Sequence, residues 1–262
     1  MSWLGLGRYD EPNREDPTYA APKRGAARLL QLLLCNLWDY CKANMLCCLC
    51  FLPAAAAGGA ALLLTRNYLL CSALALLCSI PAGGGLCGLH RVCNRSLRDL
   101  EGRVYPAFRK GFCDGFRRAI LPGMLTTAEV LLSFYLVLFH SVINAFAMPV
   151  RLWILLFLVL AFLHLLLQYC FPLLAVVDLP LRDLFRNNLV LFFATPKRAL
   201  PCFFCTALWW AAGVLLFPLS LPAVAFFGIA FCALLRQLFT WPAIDRHFSI
   251  AERQQQEQKA FE

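Results

Sequence analysis

Charge is what this chain has least of. Asp, Glu, Lys and Arg together make up 15% of its 262 residues, against roughly 25% in an ordinary soluble domain. That scarcity excludes a disordered chain, which stays unfolded through high charge and low hydrophobicity. It also excludes a coiled coil, which needs charged positions flanking its seam. Several signatures of chemistry are missing as well. There is no phosphate-binding P-loop, no H-E-x-x-H helix and no nucleophile elbow. The arginines are not set in an RNP-type or helix-turn-helix pattern, so nucleic acid is not an expected partner. What is present is apolar: 61% of the chain, against roughly 45–50% in a soluble domain. A domain of this size cannot hide that much apolar surface from water. The expected fold class is all-α, a polytopic helical membrane protein.

The apolar residues fall into six runs, each near the ~20 residues needed to cross a bilayer. They cover about 43–64, 67–89, 119–148, 150–177, 199–219 and 222–241. The joins between runs 1 and 2, 3 and 4, and 5 and 6 are very short, which predicts three helical hairpins. Pro53 and the Gly58-Gly59 step are where the first run is expected to break, if any run does. Residues 1–27 form a polar tail, 28–248 the membrane domain, and 249–262 a second polar tail. Residues 28–42, with Trp38, Asp39, Tyr40 and Lys42, read as an interfacial helix leading into the first span.

The positive charges are distributed very unevenly. Of 24 Lys and Arg, 22 lie in the N-terminal segment, between runs 2 and 3, between runs 4 and 5, and at the C-terminal end. Only Arg66 and Arg151 lie in the short joins. The positive-inside rule places both termini in the cytoplasm of a multi-pass protein, and an even number of spans agrees.

Two of the basic segments are amphipathic. Tyr105, Phe108, Phe112, Phe116 and Ile120 recur every three or four residues, and so share a face. Leu181, Leu184, Phe185, Leu189 and Phe192 repeat the pattern. These predict cytoplasmic surface helices. Arg109, Lys110, Arg117, Arg118, Lys197 and Arg198 would then sit against anionic lipid headgroups, or present a face to a partner protein. Arg117-Arg118-Ala119-Ile120-Leu121-Pro122 and Lys197-Arg198-Ala199-Leu200-Pro201 match loosely, as a short internal repeat or by chance.

The chain has 14 cysteines, most of them in apolar runs, where Cys behaves as a small hydrophobe. Cys202 and Cys205 form a C-x-x-C without a βαβ unit or a nearby His, so neither redox chemistry nor zinc is expected. Gly83, Gly85 and Gly88 satisfy G-x-G-x-x-G, but at the end of an apolar run rather than after a strand. Close helix packing explains them better than a nucleotide, and Gly84 with Gly88 has small-xxx-small spacing. No cofactor or metal site is expected.

The polar residues inside the third and fourth runs are the candidate site. Thr126, Glu129, Ser133, His140 and Asn144 fall within an arc of about 60° on one helix. His164 and Gln168, four residues apart, share a face of the next. Folding that hairpin near Met148-Pro149 puts Glu129 opposite Gln168 or His164. A carboxylate at that depth must be protonated, partnered or beside water. The pair is either a structural hydrogen bond or a proton- or solute-handling site.

Several stretches together resemble the YesL-like family of bacterial integral membrane proteins. They are Arg28 to Pro53, around Trp38 to Leu46, then Gly85 to Val92, Tyr105 to Pro122, Gln168 to Ala175, Leu184 to Asn188, and Thr195 to Arg198. The resemblance implies a polytopic protein of the bacterial cytoplasmic membrane. It further implies a non-enzymatic accessory role linked to carbohydrate uptake, with a permease or other membrane protein as partner. No site residues carry over from it. The alternative function is a small-solute transporter or channel with a polar path between spans 3 and 4.

Overall fold

A computed structural model describes residues 25–100, 102–142, 149–216 and 218–249, without the side chains of 137–142 and 214. The N-terminal tail and nearly all of the C-terminal tail lie outside the described residues. Every described element is helical. The helices are α1 (Ala26–Thr65), α2 (Tyr68–Cys78), α3 (Ile80–Leu97), α4 (Val104–Val142) and α5 (Val150–Leu167). They continue with α6 (Cys170–Leu174), α7 (Leu181–Ala194), α8 (Pro196–Leu215) and α9 (Leu221–Phe248). Four helical segments are long and apolar enough to cross a membrane, or six if α2 with α3, and α7 with α8, each count as one bent span.

The 40 residues of α1 extend for about 60 Å. That is twice the ~30 Å of a hydrocarbon core, so one end of α1 stands outside it. The segment expected as a separate interfacial helix is thus the first part of α1, set off by a kink at Asn36 (φ −120°, ψ 19°). The kink is fixed from α3: Asn36 Nδ2 donates to Ser96 Oγ at 3.0 Å, and the Tyr40 and Ser96 hydroxyls meet at 2.6 Å. Arg28, buried beside them, pairs with Asp99 at 2.6 Å. Pro53 and Gly58-Gly59 do not break α1. The break falls in the second run instead, at Ser79, where α2 and α3 bend by 52°. Pro81 opens α3, and a proline in its first turn is compatible with a helix start but not with continuing α2.

The surface helix expected over 104–120 is not separate. It is the first part of the 39-residue α4, and its phenylalanines face protein rather than lipid. Phe108 is buried, and Phe112 and Phe116 are partly buried. They pack on α3 where it has no side chains: a methyl group at Gly84 would stand 2.9 Å from Phe112 and Phe116, and one at Gly88 would stand 2.8 Å from the Phe108 carbonyl oxygen. The approach is reciprocal. Gly111, Gly115, Ala119 and Gly123 recur every four residues along α4 and meet Gly88, Cys87 and Gly83 of α3. This is the small-xxx-small device in full; the spacing read from sequence shows only its α3 half. The second amphipathic segment is a helix of its own, α7, turned by 106° from α8. Its inward stripe contains Leu184, Asn188 and Leu191; Leu189, expected on it, is exposed.

The packed core lies near the basic segments. It joins Leu32 and Tyr40 of α1, Leu89 and Cys93 of α3, Phe108 of α4, Tyr169 to Leu174, Leu184 of α7 and Ile244 of α9. At the other end the helices expose large apolar side chains, with Leu63, Leu64 and Leu69 each 84% exposed. That is the surface of a protein whose solvent there is lipid.

Two asparagines repair backbone irregularities inside this bundle. The start of α9 contains a π-helical turn at Val224–Gly228, which leaves carbonyls out of register. Asn44 of α1 donates from Nδ2 to the carbonyls of Val224 (3.1 Å) and Ala225 (2.5 Å), and accepts from Ala230 N at 2.8 Å. Asn188 of α7 closes the α5–α6 break, accepting from Tyr169 N at 2.8 Å and donating to Leu166 O at 2.6 Å.

Candidate functional site

Glu129 lies in the middle of α4, seven residues after Pro122, and its side chain is 14% exposed. Its Oε1 is 2.5 Å from Nδ1 of His164 on α5. The other ring nitrogen, Nε2, is 2.7 Å from Oγ1 of Thr206 on α8. The structure therefore brings together Glu129 and His164 and adds a third member from a third helix. Phe203 stands edge-on to the imidazole, with ring centroids 5.3 Å apart. Both His164 and Thr206 are buried.

The remaining seam residues behave differently. The Ser133 hydroxyl donates to the Glu129 carbonyl and the Thr126 hydroxyl to the Pro122 carbonyl, each within its own helix. The side chain of His140 and the whole of Asn144 lie outside the described residues. Gln168 does not meet Glu129. It donates from Nε2 to the carbonyl of Ala199 on α8 at 2.9 Å, one turn further along the face from which His164 bonds Thr206 of the same helix. Its Oε1 is buried without a partner.

Thr206 is not part of the expected seam. Its signal is weak in sequence, since a lone threonine in an apolar helix usually satisfies itself by bonding the carbonyl one turn back. Thr206 does so, donating towards Cys202 O at 2.8 Å, but the same oxygen also faces His164.

The more unexpected residue is Arg236. Counted by sequence among the cations of the C-terminal end, it is 7% exposed, inside α9. Its Nε has no hydrogen-bond partner, and no carboxylate pairs with it among the described residues. It lies within electrostatic range of Cys170, Cys202 and His90. Cys232 is in range of both Arg236 and Glu129. On the α3 side, Gln237 donates to the carbonyl of His90 at 3.2 Å and accepts from Asn94 at 3.2 Å.

These groups form two layers. Gln168, Cys202 and Arg236 are each four residues from His164, Thr206 and Cys232, respectively. Four residues are about one helical turn, or ~6 Å. The first set therefore sits one turn nearer the basic end than the second.

The expected basic residues are on the surface. Arg109, Lys110, Arg117, Lys197 and Arg198 are exposed; Arg118 is partly covered and pairs with Asp178 at 2.7 Å. Cys202 of the C-x-x-C is buried and Cys205 exposed. Among the described residues no group of three or more His, Cys, Asp or Glu is placed to hold a metal ion. In comparison with known proteins, no family model, no curated protein and no solved structure matches this chain.

Proposed function

We propose that this multi-pass membrane protein is a non-enzymatic small-solute transporter of a bacterial cytoplasmic membrane, with both termini in the cytoplasm. Glu129, His164 and Thr206 form its proton-handling site. The observation that carries this reading is the 2.5 Å contact between Glu129 and His164, buried where three helices meet. A lone acid is a thin basis for transport. Two titratable groups bonded to each other inside a membrane domain are a better one, because ionisable residues at that depth are expensive and are retained for ion pathways and proton relays. A structural hydrogen bond between membrane helices, worth roughly 0.6 kcal/mol, needs neither group to be titratable. The orientation rests on the 22-to-2 distribution of positive charge.

The hydrogen bonds also suggest how a proton is held. A threonine hydroxyl has a single proton to give. When it goes to Cys202 O, Nε2–H of His164 donates to Thr206, and one further proton is shared between Nδ1 and Glu129. When it goes to Nε2 instead, Nδ1–H donates to a charged Glu129. The two arrangements differ by one proton and a hydroxyl rotation. Infrared difference spectra across a pH titration in lipid should show a protonated carboxyl band that is absent from Glu129→Gln. If the wild-type spectrum has no such band, the reading is wrong.

A second reading, an accessory protein for carbohydrate uptake, is favoured by the resemblance to the YesL-like family. Affinity purification from membranes tests it: a co-purifying permease supports it.

A further inference from the structure

An arginine cannot shed its charge in a protein. A buried guanidinium without a counterion is costly, and Arg236 has neither an ion pair nor a partner for Nε among the described residues. One helical turn deeper stands Glu129, bonded to His164. Both Arg236 and Glu129 lie within electrostatic range of Cys232. In the same layer as Arg236, Gln168 has its Nε2 committed to Ala199 O and its Oε1 buried and unsatisfied. A buried donor on a cation and a buried acceptor on an amide are thus both left open, one turn from a site that gains or loses a proton.

We infer that Arg236 and Gln168 bind a small monocarboxylate bearing a hydroxyl, and that it moves together with the proton held by Glu129 and His164. This rests on the proton-handling reading above and adds the substrate class. Arg236 takes the carboxylate and Gln168 Oε1 accepts from the hydroxyl. The charge count explains the coupling. With the proton on the Glu129–His164 pair, that pair is neutral, and Arg236 needs an external anion. With the proton gone, Glu129 carries the negative charge that balances Arg236, and the anion is released. The interior is neutral in both states, and one proton accompanies one anion. The charged and titratable groups around the site are Glu129 from α4, His164 from α5, Cys170 from α6, Cys202 from α8, Cys232 and Arg236 from α9, and His90 from α3. Among them only Glu129 is a carboxylic acid, so only it supplies the alternating negative charge.

The test uses the full chain purified and reconstituted in liposomes, with radiolabelled lactate as probe and a pH-sensitive dye inside. An inward lactate gradient should carry lactate in with acidification of the lumen. Acetate, which cannot donate to Gln168, should compete about tenfold less well. Arg236→Gln should lower uptake about tenfold or more, and Arg236→Lys should restore part of it. Glu129→Gln should keep lactate exchange across the membrane while losing net uptake with a proton. Lactate flux no greater than in empty liposomes, or an Arg236→Gln protein as active as the wild type, would overturn the inference. If the Glu129 carboxyl band titrates while lactate does not move, the proton site stands and the monocarboxylate assignment falls. If the band itself is missing, the proton site falls first.

Discussion

Substituting Gly123 with Ala tests the tightest contact in the bundle. A Cβ there would stand 2.5 Å from Cα and 2.6 Å from N of Gly83. Carbon atoms in contact sit about 3.5–4.0 Å apart, so α3 and α4 would have to separate locally by about 1 Å. The opposing atoms are backbone, so no flexible side chain is available to give way. Overpacking of this kind costs about 1–3 kcal/mol. Alanine returns about 0.5–1 kcal/mol as the better helix former, which leaves a net loss of about 1–2 kcal/mol. Gly59 of α1 is the internal control: a Cβ there meets nothing within 4 Å, so Gly59→Ala retains only the propensity gain. The two variants should differ by about 2 kcal/mol. At about 2–4 °C per kcal/mol for a domain of this size, they should melt about 4–8 °C apart, on either side of the wild type. Thermal unfolding of the three purified proteins in one detergent, followed by size-exclusion fluorescence, reads this directly. A Gly123→Ala protein melting at or above the wild type would show that the α3–α4 approach is looser than described.

Two further outcomes are expected. Asn44→Leu leaves two carbonyls and an N–H of the α9 π-helical turn without partners in a fully buried position. It should cost about 3 kcal/mol, whereas Asn67→Ala, which removes the N-cap of α2 at the surface, should cost about 1 kcal/mol. Equal melting temperatures for the two would refute the assigned role of Asn44. Topology reporters fused after Arg66 and Arg151 should read periplasmic, and those fused after Arg103 and Lys197 cytoplasmic; a periplasmic signal at Arg103 would reverse the charge argument.

Hydropathy and the 3.6-residue period are properties of neighbouring residues, and they settle what neighbours can settle. The apolar runs alone identify an all-helical membrane protein and locate α1, α4, α5, α8 and α9. Glu129 and His164 are visible as candidates because a charged or titratable group stands out in an apolar run and its helical face follows from counting. Pairing between helices is another matter. The depth match between Glu129 and either Gln168 or His164 is open by sequence, and the tertiary packing decides it: His164 meets Glu129, while Gln168, one turn along, meets Ala199 of α8. The stripe of Phe108, Phe112 and Phe116 has the same period whether it meets lipid or protein. Only the opposing glycines of α3 show that it meets protein. Arg236 is the clearest case. In sequence it is one more cation near the end of a span, free to reach water along its own stem. In the structure it is buried on α9, as is Ile244 about two turns further along the same helix. Its burial is set by which faces of α1, α3, α6 and α8 close over α9, and that depends on close approach between residues distant in the chain.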